Sequence, residues 1–370
     1  MLVNQKSWLA FQIVEINEEM WYSFQTTTLK ETYMNKSEPR KHHYIPQFIL
    51  RKFTDVNNQV LYWNIRNKTL EKRNTKSIFM NIDMYRDEEN HQENPVFIEN
   101  SLSIFESEIA NLINNKLLND KEIIITRAEL ESLRIFLSLL SFRSDLRMNQ
   151  YKNKIFDEST KNILGGDDVD FTDLWKREIE ELSKCRSYKD IEDNENIDDI
   201  IKMDFLNDIR GYYMTFLDAR GGEFLIGDVY PTLEVFPLKE NVNIHLHCIY
   251  PLSSTRLLLL NHIMFKDEIN DEVFESMKSI SKIKGELVSP PKNKYVKIGN
   301  YDSNDLFIYK VNKIYESDIK YINALQLNES RIGIIFQNSD RVKSSISYYN
   351  SITNIKNDFS LLEEELKKDL

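Results

Sequence analysis

The stretch "TRAELESLRIFLSLLSFRSDLR", Thr126 to Arg147, decides how the rest of the chain is read. Thr126 and Glu129 have the spacing of a capping box, in which hydroxyl and carboxylate satisfy orphaned backbone donors at a helix start. The apolar run behind them predicts a long helix to about Lys154, the spine of a core. Upstream, Ile98, Leu102, Phe105, Ile109, Leu112 and Ile113 recur at three- and four-residue intervals, so "VFIENSLSIFESEIANLINNKLL" is an amphipathic helix whose apolar stripe needs a partner. Downstream, further helices are expected from about Asp170 to Lys184 and from about Asp198 to Leu217. The acidic "YKDIEDNENIDD" between them has no apolar face and reads as a loop.

The pattern then changes period. "GGEFLIGDVYP", "TLEVFPL", "NIHLHCIYPL" and "TRLLLLNHIMF" are short, β-rich and punctuated by Gly, Pro or Asn, as in an antiparallel meander. "ESDIKYINALQLNE" reads as a helix and "RIGIIFQNS" as a strand. Toward the N-terminus, "QVLYWNIRNKTLEKR" predicts a hairpin turning at "NIRNKT", and "SIFMNIDMY" continues as strand or irregular structure. The fold class is α+β: a helical core of long capped helices packed with an antiparallel β-meander in the C-terminal half. Residues 1–33 match nothing that follows and read as a dispensable or spurious extension before a natural start at Met34. One domain is expected over 34–340, and a charged tail over 341–370.

A chain of 370 residues with 41% apolar content can bury a substantial core. No apolar run approaches the roughly 18 residues a membrane helix needs, so no membrane partner is expected. The N-terminal stretch makes a poor signal peptide. Cys185 and Cys248 lack metal-ligand spacing and suit a reducing cytoplasm. The net charge of -11 is unevenly spread: residues 36–76 carry 10 basic and 3 acidic side chains, whereas 157–208 carry 7 and 17. The basic segment reads either as a phosphate-facing patch for RNA or as solvated strand and loop cations.

One further stretch carries a resemblance. "HHYIPQFILRKF", His42 to Phe53, resembles the opening of a bacterial family, domain of unknown function 4238, whose members begin with a near-identical His-His-Tyr-hydrophobic-Pro-Gln-Phe-hydrophobic-Leu-Arg stretch. "FLSLLSFRSDLR", "FLIGDVYP" and "IYPLSSTRLLLL" resemble three later motifs of that family in the same order, with Gly227 standing where the family has serine. Coverage runs from about Met34 to Ser339. The resemblance implies an intracellular bacterial protein of the kind that includes single-gene anti-phage defence systems.

The chemistry-bearing candidates are few. His42 and His43 alternate faces in an extended segment, so at most one enters a shared site. Beside Lys41 and Arg51, an imidazole suits phosphoryl chemistry; the alternative is that one ring packs in the core and the other caps a helix near Pro46. Arg143 and Arg147, four apart on the expected helix, could clamp a phosphate or pair with a buried acid, for which Glu99 and Glu106 share a suitable face. Asp228, at a strand exit, could ligate a divalent metal, orient a histidine, or bond its own turn backbone. His245 and His247 form only an H-x-H pair, so no metal-ligand constellation is specified. Two functions from different classes follow, the first as the leading expectation and the second as its alternative. In one, the chain is a toxic nuclease acting on RNA, with His42, His43, Arg143 and Asp228 as catalytic residues and Lys41, Gln47, Arg51, Arg147 and Glu106 binding. In the other, it is a non-enzymatic binding or sensing module that recognises a phage component, and the histidine motif is structural.

Overall fold

Leu257, Leu258, Leu259 and Leu260 are all buried, which requires a strand covered on both faces. They lie in β10 (Arg256–His262) of a six-stranded sheet. The computed structural model describes residues 40–118, 122–239, 242–263, 304–352 and 355–368, all within the unit Arg40–Leu370. The extension expected at 1–33 and the start at Met34 lie outside the described residues. The other strands of this sheet are β5 (Glu122–Thr126), β6 (Tyr212–Ala219), β8 (Thr232–Lys239), β9 (Val242–Pro251) and β11 (Leu306–Ile314). Their order is β5-β11-β6-β10-β9-β8. All neighbours are antiparallel except β6 and β11, which pair in parallel.

One face of this sheet, with Phe216, Leu258 and Leu260, packs against the helical layer. That layer contains α2 (Phe97–Leu112), α3 (Arg127–Phe142), α4 (Asp145–Lys152), α6 (Phe171–Lys184) and α8 (Asp199–Arg210); α5 (Glu158–Ile163) lies between α4 and α6 in sequence. The opposite face, with Leu217, Leu257 and Leu259, packs against Ile319 and Ile322 of α9 (Glu316–Glu329). A second, four-stranded antiparallel sheet has the order β3-β2-β12-β7, from β2 (Gln59–Asn64), β3 (Thr69–Asn74), β7 (Ile226–Gly227) and β12 (Gly333–Phe336). The α+β class and the strand-rich C-terminal half are therefore as the sequence predicts.

Several elements differ from expectation for identifiable reasons. The spine helix starts at the Thr126/Glu129 capping box but stops at Phe142; Ser144 caps a new helix, its hydroxyl accepting the Arg147 N–H. Arg143 and Arg147 therefore do not share one helix face. The fourth helix ends at Arg210, and Tyr212–Ala219 is a strand inside the six-stranded sheet. "FLIGDVYP" contributes only two residues, Ile226 and Gly227, and these join the other sheet opposite Ile334 and Ile335. The acidic loop holds α7 (Tyr188–Asp193), capped by Ser187 and Asp190 and anchored by buried Ile191. Finally, the segment read as a charged tail contains α10 (Ser339–Asn350) and α11 (Ser360–Lys368). Val342, Ile346, Leu362 and Leu366 bury against Trp63, Leu225 and Phe336, because four-residue spacing gives each helix an apolar stripe within a charged sequence.

Candidate functional site

The histidine motif forms β1 (Lys41–His43), paired with β4 (Met80–Ile82), then α1 (Gln47–Leu50). Tyr44, Ile45, Ile49, Leu50 and Phe53 are buried behind the two histidines. Pro46 takes the position just before α1, where its missing N–H costs nothing, and no side chain caps that helix. His43 is 8% exposed. Its Nε2 lies 3.2 Å from the Thr75 carbonyl oxygen and its Nδ1 3.4 Å from Gln47 Nε2. These partners assign the neutral tautomer: Nε2–H donates to Thr75 and Nδ1 accepts from Gln47. Gln47 Oε1 in turn accepts from Arg51 Nη2 at 2.9 Å, so the i, i+4 ladder His43–Gln47–Arg51 runs from the core to the surface. Burial lowers the His43 pKa to about 4; the Thr75 hydrogen bond opposes this, and the charges of Arg143, Lys41 and Arg51 add to it.

His42, fully buried, faces the other way. Its Nδ1 accepts the Tyr85 N–H at 2.8 Å, and its ring lies parallel to that of Tyr85 with centroids 5.6 Å apart. The Tyr85 hydroxyl donates to the Arg143 carbonyl at 2.9 Å, and the Trp175 indole donates to the Phe142 carbonyl at 3.0 Å. Two carbonyls at the end of α3 are thus satisfied by side chains, which allows the helix to break there. Arg143, also fully buried, donates to Glu106 at 2.5 Å and lies 3.5 Å from the His43 carbonyl oxygen. Glu99, the second acid on that helix, is pushed up to about 8 by burial and by the Glu106 carboxylate. The raised Glu99 favours its neutral form beside the Arg143–Glu106 pair. His42, His43, Arg143, Glu106, Gln47 and Arg51 therefore come together in one network that runs from the core to exposed Arg51, with the Arg143 Nε buried and without a hydrogen-bond partner.

Asp228 belongs to a different structure. Its Oδ1 accepts the N–H groups of Arg331, Ile332 and Gly333 at 2.7, 2.9 and 3.2 Å. Burial raises its pKa against those bonds. The carboxylate closes a turn from another part of the chain rather than its own, and because both His43 nitrogens are engaged it does not orient that ring. Gly227 beside it is required by packing, since a Cβ there would overlap the Ser330 hydroxyl. Arg147 binds Gln150 Oε1 at 2.8 Å, and Lys41 is exposed at the edge of β1. His247 is buried with Nδ1 2.5 Å from Glu234, whose other oxygen accepts from Tyr321 at 2.8 Å; His245 is half-buried, its pKa lowered by burial and by Arg147. Among the described residues no three His, Cys, Asp or Glu side chains are grouped to hold a metal ion. Within the basic segment, Arg40 pairs with Asp83, Arg73 with Glu71 and Lys68 with Asp358, so part of its charge is spent locally.

Sequence reasoning missed Tyr85 and Trp175, whose roles depend on contacts distant in the chain. The Gln47 role was readable from its four-residue spacing to both His43 and Arg51. It also missed a cavity of about 920 Å³ between α2, the start of α3 and residues 186–192. Ile109, Leu112 and Tyr188 give it apolar lining, while Glu108–Arg186 and Lys116–Glu129 pair at 2.5 Å beside it. None of the predicted site residues lines it.

The family described as "Protein of unknown function (DUF4238)" matches residues 41–340, starting at the histidine motif itself. The chain belongs to this family. The DUF4238 match ends at the start of α10, so α10 and α11 complete the second core almost wholly beyond it. Neither a curated protein nor a solved structure matches the chain. No helix among the described residues is long and apolar enough to cross a membrane.

Proposed function

We propose that the chain is a non-enzymatic recognition module of a bacterial defence-type system, acting in the cytoplasm on a phage component, with the histidine motif serving the fold. The observation that carries this reading is the state of His43: both ring nitrogens are occupied and its pKa of about 4 leaves it neutral. A general base needs a free lone pair facing its substrate, and a phosphate clamp needs an uncommitted guanidinium. Here the His43 lone pair is held by Gln47, and the Arg143 charge is matched by Glu106. The defence setting rests on the family resemblance. The cytoplasmic setting is supported by two buried free thiols, which suit a reducing compartment. The cavity lined by Ile109, Leu112 and Tyr188 combines an apolar floor with a paired-charge rim, the composition of a protein-recognition surface.

The test compares host cells carrying the wild type or His43→Gln under phage challenge, with plating efficiency set against the amount of folded protein. Protection that tracks folded protein, with intact host RNA, is the expected result. A variant folded at wild-type level that has lost protection, together with RNA cleaved only in wild-type cells, would place the imidazole in a nuclease site.

A further inference from the structure

At the carboxyl ends of β6 and β11, the one parallel strand pair among the described residues, lies a cavity of about 460 Å³ that no predicted site residue lines. Strand register explains its charge. Lys313 of β11 pairs with Asp218 of β6, and Asp218 pairs with Arg256 of β10, so the three form one cross-strand row on the same sheet face. The next row inward on that face is Val311, Phe216 and Leu258, an apolar floor that excludes water from beneath the charges. Arg256 is 3% exposed. Its guanidinium is fixed by both Asp218 oxygens, at 2.5 and 3.3 Å, and by the Leu117 carbonyl. That pairing consumes the Asp218 carboxylate and leaves the exposed Lys313 ammonium without an ion partner among the described residues.

Arg220 adds a third cation at the rim. Its N–H is bonded to the Ile314 carbonyl, which ties the ends of β6 and β11 together, and its guanidinium lies 5.8 Å from the centroid of the Tyr315 ring. Tyr315 is 60% exposed. Gly221 follows with φ of +81°, a left-handed conformation that favours glycine, and open space lies where a Cβ would stand. The Ser253 and Thr255 hydroxyls complete the lining. Among the described residues, three cations and one carboxylate thus line a single concavity in a chain whose net charge is -11.

We propose that this pocket binds the phosphate of a nucleotide, with Arg220 and Lys313 as phosphate ligands, the Arg256–Asp218 pair as a fixed wall beneath them, and Tyr315 as a stacking surface for the base. Cations backed by an apolar floor attract an anion more strongly than solvated ones, and guanidinium and ammonium groups both donate charge-assisted hydrogen bonds to phosphate. The pocket shares no residue with the histidine network, so it stands or falls separately from the proposed function.

Calorimetric titration of the full chain with ATP, AMP, inorganic phosphate and a 5′-phosphorylated oligonucleotide tests it, with Arg220→Ala/Lys313→Ala as the variant. Both residues are exposed, so the unliganded melting midpoint should not move. ATP and AMP binding that weakens about ten-fold or more in the variant, and that falls with ionic strength, is expected. Oligonucleotide binding as tight as that of AMP, lost in the same variant, would assign the same phosphate subsite to a strand end. Failure of every probe to bind the wild type, or equal binding by the variant, would overturn the proposal.

Discussion

At the scale of single residues, the histidine motif works by hydrogen bonding and charge matching. Arg143 is wholly buried against Glu106, whereas Arg147 is half-buried with a neutral partner, Gln150. Truncating Arg143 leaves the half-buried Glu106 carboxylate unpaired and empties a fully buried site, so Arg143→Ala should cost about 3 kcal/mol in denaturant melts, and Arg147→Ala about 0.5 kcal/mol or less. Equal losses would mean that the pair contributes nothing. His43 makes a prediction with a definite sign. Its folded pKa, about 4, lies below the ordinary value of 6.5, so the unfolded chain takes up the proton first as pH falls. Stability from this residue is full above pH 6.5 and is lost between there and pH 4. From pH 7 to pH 5 the wild type should lose about 2 kcal/mol from His43 alone, narrowing its advantage over His43→Gln by that amount. Subtracting the variant removes the opposite contributions of Glu99, Glu178 and Glu223, whose pKa values burial raises to about 8, 7 and 7. A gap that stays constant with pH would contradict the neutral buried ring. The involvement of Gln47 and Arg51 was legible because their ladder is local in sequence; Tyr85 and the Thr75 carbonyl lie 43 and 32 residues from the histidines they bind.

At the scale of elements, local signals gave reliable starts and unreliable ends. The Thr126/Glu129 box marks a real helix start because both partners lie within one turn. Ser144 and Asp145 carry the same kind of signal, a cap followed by an acidic first turn, and the continuing apolar pattern through Met148 and Tyr151 masks it. Tyr212–Leu217 reads as helix in the sequence because its pairing partners, β10 and β11, come later in the chain, and its aromatic residues satisfy either period. β7 could not be assigned to the second sheet from sequence, since its two residues find β12 more than a hundred positions away. That contact yields an element-scale prediction. Gly227→Ser forces a side chain into the space of the Ser330 hydroxyl and should destabilise the chain by about 1–3 kcal/mol. Adding Ser330→Gly should recover most of the loss. No recovery in the double variant would show that the two positions are not coupled by packing.

For the molecule as a whole, two of the three buried clusters among the described residues carry different expectations. The larger joins the six-stranded sheet, the helical layer and the histidine motif; the smaller joins the second sheet to α10 and α11. Leu362→Ala, in a helix that charge content disguises as a tail, should cost about 2–5 kcal/mol as a large-to-small change at a fully buried site. A loss near zero in thermal melts would return the segment to the status of an appendage. The proposed reading is that this molecule recognises rather than cleaves, because the His42 and His43 rings are engaged by its own fold. Incubating purified wild type and His43→Gln with labelled single-stranded RNA and DNA, with and without magnesium, tests it most directly. The account predicts that both strands remain intact with either protein; time-dependent RNA cleavage by the wild type, abolished in folded His43→Gln, would contradict it.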